Sequence, residues 1–360
     1  MKSFFIEPND TLFFRGGDPM GMGESHDIDF RFPPGKETFI GAVRSWLLAL
    51  YCKRFKRYIN ECKNCEKLKE CKIKEIVGKS SDKPKFNLYG PLLVKKEKNS
   101  LIPLFVPPKN IFVDNNYNTI KLLPVKVPGI TDLEDLYLPF HKSVEDSEPI
   151  NGYLTDKGME KIVSKNGKIN LKDNIISNEN IYSIEERVGI ALERRTRKTK
   201  ERMIYFTRHI RFKQDIGFYI EIEGADNLLP DKGIIALGGE NRTCDIYKVK
   251  PIKLPNTKKI ENNKISLITL FPQKININKG IFPSWIDEKR EGIIPNTMVK
   301  VKVVSIFSDK PEYVGGFDMV KKMSKPIEPY IPAGTVYFSE IIEGNKEELL
   351  TQKEFIIGGW

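Results

Sequence analysis

The chain has 360 residues, of which 40% are hydrophobic and 30% are charged, a composition typical of a globular protein long enough for two domains. It contains no apolar run of about 18 residues, which excludes a membrane-spanning helix. Its 59 lysine and arginine residues against 48 aspartate and glutamate residues give a net charge of +11. This excess favours a polyphosphate partner, although a lysine-rich solubility surface would give the same balance.

The chain begins MKSFFIEPNDTLFF, with one lysine and a short apolar stretch before an acidic turn. We therefore expect no secretory signal and a cytoplasmic protein. A short strand over 3–7 precedes a glycine-rich loop over 14–24. A helix over 39–55 follows, because apolar residues recur there at helical spacing, and Arg44, a further candidate RNA contact, would lie near its beginning.

A lysine- and cysteine-rich insertion over 56–80 comes next, and four of the five cysteines lie in or beside it. Their spacing suits a tetrahedral metal site better than disulfides in a cytoplasmic protein. We expect a structural zinc, with an iron–sulfur cluster as the alternative because the Cys-x2-Cys-x5-Cys run also suits four-iron clusters. Scattered, reduced surface cysteines would leave no site at all. The four candidate ligands are Cys52, Cys62, Cys65 and Cys71.

The middle region, 81–180, has many proline, asparagine and lysine residues and is predicted to be irregular, with loops and hairpins. Beyond it, 187–192 and 203–212 are typical strands, and the basic segment 193–202 separates them. Such an arm can grip a phosphate backbone, with Tyr205, Phe206 and Phe212 near enough to stack on bases. A solvated turn is the alternative. The candidate RNA contacts here are Arg194, Arg195, Arg197, Lys198, Arg202 and Arg208.

Two glycine loops each carry an arginine that can pair with phosphate, while their glycines permit a close approach of the backbone. Neither loop fits a P-loop or a dinucleotide fingerprint, and tight turns are the alternative explanation. The candidate residues are Arg15, Gly16 and Gly17 in the first loop, and Gly238, Gly239 and Arg242 in the second.

The order strand, helix, insertion, two strands, helical piece and strand is that of a ferredoxin-like β-α-β-β-α-β unit. We predict an α+β protein with such a domain over 1–250, containing a large insertion at about 56–180. A second, β-rich domain would follow over 251–360, with strands around 265–271, 299–307 and 334–342. Of the three histidines, only His26, in the first glycine-rich loop, is placed where an acid or base might act, and no enzyme is predicted.

Five short motifs occur in order along nearly the whole chain, and together they resemble those of the Cmr-type RAMP (repeat-associated mysterious protein) family. The resemblance is to the third-named subunit of the type III-B CRISPR (Cmr) effector complex. The motifs are Pro8-x-Asp10-Thr11-Leu12-Phe13-Phe14-Arg15-Gly16-Gly17-x-Pro19, Glu186-Arg187-x-Gly189-Ile190, Leu237-Gly238-Gly239-Glu240-x-Arg242, Gly315-Gly316-Phe317-Asp318 and Pro332-Ala333-Gly334-Thr335-Val336-Tyr337-Phe338.

This resemblance implies two ferredoxin-like RAMP domains and a non-catalytic subunit that caps the 5′ tag of the CRISPR RNA. Its implied protein partners are the large polymerase-like subunit and a backbone RAMP subunit. Two other functions stay open. One is a RAMP endoribonuclease that processes precursor CRISPR RNA with His26 as acid or base, and the other is a metal-bearing nucleic-acid scaffold outside CRISPR.

Overall fold

The computed structural model describes most of the chain. For residues 191–192, 199–204 and 317–318 it describes the backbone and not the side chains. The described residues are 1–16, 30–52, 71, 73–78, 83–98, 100–126, 137–140, 146–164, 168–192, 196, 198–256, 260, 262–277, 282–318 and 323–360. Their α-helices are α1 (Lys36–Tyr51), α2 (Lys74–Val77) and α3 (Asp156–Ser164), and 3-10 turns lie at Lys172–Asn174, Asn178–Asn180 and Lys346–Leu350.

Strands dominate the described residues, so the mixed fold is mostly β. The strands in chain order are β1 (Lys2–Pro8), β2 (Asn87–Glu97), β3 (Ser100–Phe105), β4 (Ile111–Val113), β5 (Thr119–Lys121), β6 (Leu123–Lys126), β7 (Tyr137–Phe140), β8 (Glu148–Pro149), β9 (Tyr153–Thr155), β10 (Ile175–Ile176), β11 (Tyr182–Leu192), β12 (Thr199–Phe212), β13 (Ile216–Glu223), β14 (Lys232–Ala236), β15 (Thr243–Val249), β16 (Lys264–Thr269), β17 (Gln273–Lys274), β18 (Glu291–Ile293), β19 (Lys300–Phe307), β20 (Glu312–Val314), β21 (Phe317–Asp318), β22 (Met323–Ser324), β23 (Glu328–Ile331), β24 (Val336–Glu343) and β25 (Phe355–Gly359).

The chain divides into two compact units, neither continuous in sequence. Unit 1 comprises Met1–Lys96, Ile181–Pro251 and Tyr313–Ile327. Unit 2 comprises Glu97–Asn180, Ile252–Glu312 and Glu328–Trp360. The domain ranges 1–250 and 251–360, and the ferredoxin-like character of each domain, stay predictions.

Unit 1 is built on antiparallel strands in the order β2-β13-β1-β15-β14. The alternation of side chains along a strand directs Phe4 of β1 toward α1, where it meets the Trp46 ring edge-on with centroids 6.2 Å apart. Phe39 of the same helix contacts Phe218 of β13, with ring centroids 5.0 Å apart. The buried stripe of α1, which includes Val43 and Leu47, therefore forms the core against one face of these strands.

The helix boundaries differ from the prediction. The helix begins at Lys36 rather than at 39, and it ends at Tyr51, since Cys52 is already extended. Arg44 is consequently the ninth of sixteen helical residues and does not lie near the beginning, because the helix starts directly after Gly35.

The middle region is more regular than predicted, because β2 alone runs for eleven residues. Its Gly90-Pro91 step hides this strand in the sequence, since both residues are rare within strands. Gly90 has a φ of 112°, a conformation that favours glycine. Strand β2 pairs with β13 on both sides of a bulge at this point.

Unit 2 contains an antiparallel sheet with the order β18-β19-β24-β16-β25. One buried cluster combines Leu267, Val301, Tyr337 and Phe355 from four of these strands. Strands β16, β19 and β24 confirm the strands predicted around 265–271, 299–307 and 334–342. Among the described helices, none is both long enough and apolar enough to cross a membrane.

Candidate nucleic-acid interface

A long ribbon of two strands, β11 and β12, confirms the predicted basic hairpin. The strands pair in register from Tyr182↔Phe212 to Ile190↔Ile204, and beyond a bulge Leu192 pairs with Thr199. Of the basic segment 193–202 that was predicted to grip RNA, Thr196 and Lys198 lie between the two strands and 199–202 belong to β12. The segment's arginines Arg194, Arg195 and Arg197 lie outside the described residues.

The base of the ribbon is attached to the N-terminal segment of unit 1. Leu12 and Ile210 exchange two backbone hydrogen bonds of 2.8 Å each, and both side chains are fully buried. The carbonyl oxygen of Phe13 accepts a 2.8 Å hydrogen bond from the backbone N–H of Gly239. The segment 10–14 therefore lies between the ribbon and the turn 237–242, so that three of the five family-like motifs meet in unit 1.

The turn between β14 and β15 explains the double glycine. Gly238 has a φ of 79°, and a Cβ atom there would overlap the carbonyl oxygen of Phe13. At Gly239 a Cβ atom would lie 2.7 Å from Cδ1 of Phe13. Both glycines are thus required by packing within the protein. Glu240 and Asn241 complete the turn with φ values of 57° and 52°.

Asp10 joins the ribbon to this turn through two arginines. Its Oδ1 lies 3.1 Å from Nη2 of Arg211 on β12, and its Oδ2 lies 3.2 Å from Nη1 of Arg242 beside β15. The backbone N–H of Thr11 and these two arginines hold the pKa of Asp10 below its ordinary value. The carboxylate therefore stays charged at neutral pH.

Glu185 of β11 extends this arrangement along the ribbon. It accepts hydrogen bonds from Arg211, through Nε, and from Arg187, whose Nη2 lies 3.1 Å from Oε2. Hydrogen bonds from Arg211 and then Arg187 lower the pKa of Glu185. Arg187 also donates to the hydroxyl oxygen of Thr11 over 2.9 Å.

Glu240 closes the other end of the chain of charges. Its Oε2 lies 2.9 Å from Nη2 of Arg242 and 3.8 Å from Nε2 of His209. Three carboxylates and three guanidinium groups therefore alternate across the ribbon base, the N-terminal segment and the turn. We call this set the ion-pair chain; its members are Arg187, Glu185, Arg211, Asp10, Arg242 and Glu240.

His209 lies beneath the ion-pair chain and is fully buried. Its Nε2 is 3.2 Å from the hydroxyl of Thr207. Burial, followed by the positive charge of Arg187, lowers its pKa. An uncharged, enclosed imidazole fits a structural role.

The ribbon face opposite the ion-pair chain carries several exposed apolar side chains as well as the ion pair of Arg208 with Glu186. Val188 and Phe206 lie directly across from each other, with 64% and 41% of their surfaces exposed. Ile184 and Ile190 are exposed on the same face. Phe206 is thus available to stack on a base.

The other two predicted stacking aromatics are engaged within the protein. Phe212 is half-buried and packs against the rings of Phe32 and Phe218, at centroid distances of 5.8 and 5.1 Å, and its role in base stacking stays a prediction. Tyr205 lies across Gly189, where a Cβ atom would overlap its ring. This close approach explains the glycine in the Glu186-Arg187-x-Gly189 motif.

The remaining predicted RNA contacts are dispersed. Arg208 pairs with Glu186 over 3.2 Å on the exposed face of the ribbon. Lys198 is exposed at its tip, Arg44 is half-buried in α1, and Arg15 is exposed before Gly16. Gly17 and His26, together with the side chain of Arg202, lie outside the described residues.

Sequence reasoning missed the acidic half of the site. Asp10 and Glu240 were identified only as parts of family-like motifs, and Glu185 was not singled out. The signal available in the sequence was a charged residue, of either sign, within a motif. The sequence does not show the ion-pair partners of such a residue, because they are distant along the chain.

The predicted metal site is only partly covered by the structure. Cys52 and Cys71 have free thiols and are half-buried, whereas Cys62 and Cys65 lie outside the described residues. Within the part of the chain that is described, no group of three or more histidine, cysteine or acidic residues could hold a metal ion. The zinc or iron–sulfur site stays a prediction.

Comparison with known families identifies the chain. The profile of the CRISPR-associated protein family Cas_Cmr3 matches residues 4–356. The chain belongs to this family. The match extends from β1 to β25 and therefore includes all five motifs, which confirms the resemblance seen in the sequence.

Individual relatives are distant. The chain is 24% identical over 177 residues to the CRISPR system CMR subunit Cmr3 of Saccharolobus solfataricus, covering 47% of this Cas_Cmr3 family member and 48% of that relative. The alignment thus spans about half the length of the curated relative.

Two solved structures are also similar. One is a chain of the Type III-B Cmr-beta complex bound to cognate target RNA, with a TM-score of 0.49, 16% identity and coverage of 94% and 86% of the two chains. The other is a chain of a Csm3-Csm4 subcomplex from the type III-A CRISPR-Cas interference complex, with a TM-score of 0.40, 14% identity and coverage of 100% and 99%.

Proposed function

We propose that this Cas_Cmr3 family member is a non-catalytic RNA-binding subunit of a type III-B Cmr effector complex, and that it caps the 5′ tag of the CRISPR RNA. The observation that carries the proposal is the convergence of three motif-bearing segments at the base of a basic ribbon. The tip supplies cations for the phosphate backbone, and Phe206 supplies an exposed ring for a base.

The proposal includes two kinds of protein partner. The large polymerase-like subunit and a backbone RAMP subunit would contact this chain, which would consist of two ferredoxin-like RAMP domains. The neighbouring exposed apolar side chains Val188 and Ile190 of the ribbon are suited to contact with another macromolecule, because exposed apolar surface marks interaction sites.

The ribbon tip can be tested by removing its charge. In Arg194→Gln/Arg195→Gln/Arg197→Gln, we expect weaker assembly of the complex on guide RNA and a flatter dependence of affinity on salt. Each phosphate contact with a single strand contributes about 0.7 to the slope of log affinity against log salt, so three lost contacts reduce it by about 2.

A matched control removes three positive charges elsewhere. Lys232, Lys250 and Lys253 are exposed and lie outside the ribbon, and their replacement by glutamine should leave the slope nearly unchanged. Equal slopes for the tip variant and the wild type would exclude the ribbon tip as the RNA contact.

The non-catalytic assignment has its own test. The purified chain is incubated with labelled repeat RNA in the absence of metal, and we expect no cleavage. Specific cleavage that is lost in His26→Ala would replace the proposal with the endoribonuclease alternative.

A further inference from the structure

We infer that Asp10 is a positioning residue for RNA binding, which sets the guanidinium groups of Arg211 and Arg242 beside each other to receive the RNA backbone. The inference rests on the proposed function and deepens it, since it assigns a role to a negative charge in an RNA-binding site. The relevant contacts all lie within unit 1.

The geometry of Asp10 supports this role. Its two carboxylate oxygens bind two different arginines, at 3.1 and 3.2 Å, and these arginines come from β12 and from the turn before β15. The segment that carries Asp10 is itself held by the backbone hydrogen bonds of Leu12 and Phe13. A carboxylate anchored in this way fixes the separation of two cations that the sequence places 31 residues apart.

Stability is not a sufficient reason for the Asp10–Arg211 ion pair. The side chains of Asp10 and Arg211 are 52% and 47% exposed, and exposed ion pairs contribute little to the free energy of folding. A guanidinium group carries five N–H donors, so an arginine that binds two carboxylates, as Arg211 and Arg242 each do, can still donate to a phosphate. Orientation before binding reduces the entropy lost when the RNA binds.

A positioning role and simple electrostatic repulsion predict opposite effects on RNA affinity when the negative charge of Asp10 is removed. Removing a negative charge near an RNA site strengthens binding if the charge only repels phosphate. If Asp10 positions Arg211 and Arg242, Asp10→Asn weakens binding instead. We expect a loss of about tenfold, the size of one charge-assisted hydrogen bond, and a salt slope lower by about 1.

The experiment measures the affinity and salt slope of the full chain, assembled with the other subunits of its complex, for a labelled RNA that carries the guide 5′ tag. Asp231→Asn is the matched control, since Asp231 also bridges two cations, Lys2 and Lys248, at 3.2 and 3.4 Å and is 64% exposed. Asp231→Asn changes the net charge by the same amount as Asp10→Asn, but Asp231 contacts neither Arg211 nor Arg242. Asp10→Glu, which keeps the charge, should restore most of the lost affinity.

The single variants Arg211→Gln and Arg242→Gln separate the two proposals. If both weaken binding but Asp10→Asn binds as tightly as the wild type or more tightly, the positioning role of Asp10 is wrong and the RNA site stands. If neither arginine variant affects affinity or salt slope, the RNA site at the ribbon base is itself wrong. A misfolded Asp10 variant is recognised because it lowers the fraction of active protein without changing the salt slope.

Discussion

Phe13 stacks on His209, with ring centroids 5.1 Å apart and planes inclined by 23°. This contact joins the N-terminal segment to β12 directly below the ion-pair chain. Phe13 is 8% exposed and His209 is fully buried. The pair therefore couples the core of unit 1 to the candidate RNA site.

The first prediction concerns pH. Burial lowers the pKa of His209 below its ordinary value of 6.5, so the unfolded chain binds a proton more readily than the folded chain. The stability contributed by the neutral imidazole is present above pH 6.5 and is lost as the pH falls below it. We expect the thermal unfolding midpoint to fall between pH 7 and pH 5, and to fall less in His209→Gln. An equal fall in both proteins would contradict the prediction.

The second prediction concerns the glycine turn. Gly238→Ala should destabilise the protein by about 1–3 kcal/mol, because alanine is strained at a positive φ and its methyl group would overlap Phe13. The control is Gly41→Ala in α1, where a Cβ atom has nothing within 4 Å and should stabilise the helix by about 0.5–1 kcal/mol. Chemical denaturation measures both changes, and equal effects would rule out the proposed cause.

The third prediction separates two phenylalanines of β12. Phe206→Ala should weaken RNA binding by about 1–3 kcal/mol, the range for one stacked base, with little change in stability since its ring is 41% exposed. Phe212→Ala should instead lower stability, because its ring packs against Phe218. Affinity and thermal unfolding are measured on both variants. A Phe206 variant with unchanged affinity would exclude base stacking there.

The fourth prediction concerns the cysteine cluster. Elemental analysis of anaerobically purified protein should find one zinc per chain, or a visible spectrum should reveal an iron–sulfur cluster, since the four cysteines have the spacing of metal ligands. Cys62→Ser/Cys65→Ser should lose the metal. Cys244→Ala should retain it, because Cys244 is buried in β15 and burial raises the pKa of its thiol to about 12. Metal-free wild-type protein would remove the site.

The basic ribbon was predictable because its signals are local. Alternating apolar residues on both sides of a charged segment define two strands and a tip, and the structure extends these strands to Tyr182–Leu192 and Thr199–Phe212. The side chains that face the core were less predictable. Phe206 and Phe212 have similar local sequences, and only the neighbouring Phe32 and Phe218 determine which ring is engaged.

The sequence by itself determined the family, the basic charge of the ribbon tip and the order of the main strands, since these depend on residue type and short spacing. Tertiary structure alone decided that Asp10, Arg211 and Arg242 meet, because an ion pair depends on distance and these residues belong to separate elements. It also decided that Gly238 and Gly239 serve internal packing. Their requirement for glycine comes from Phe13, which is more than 200 residues away in the chain.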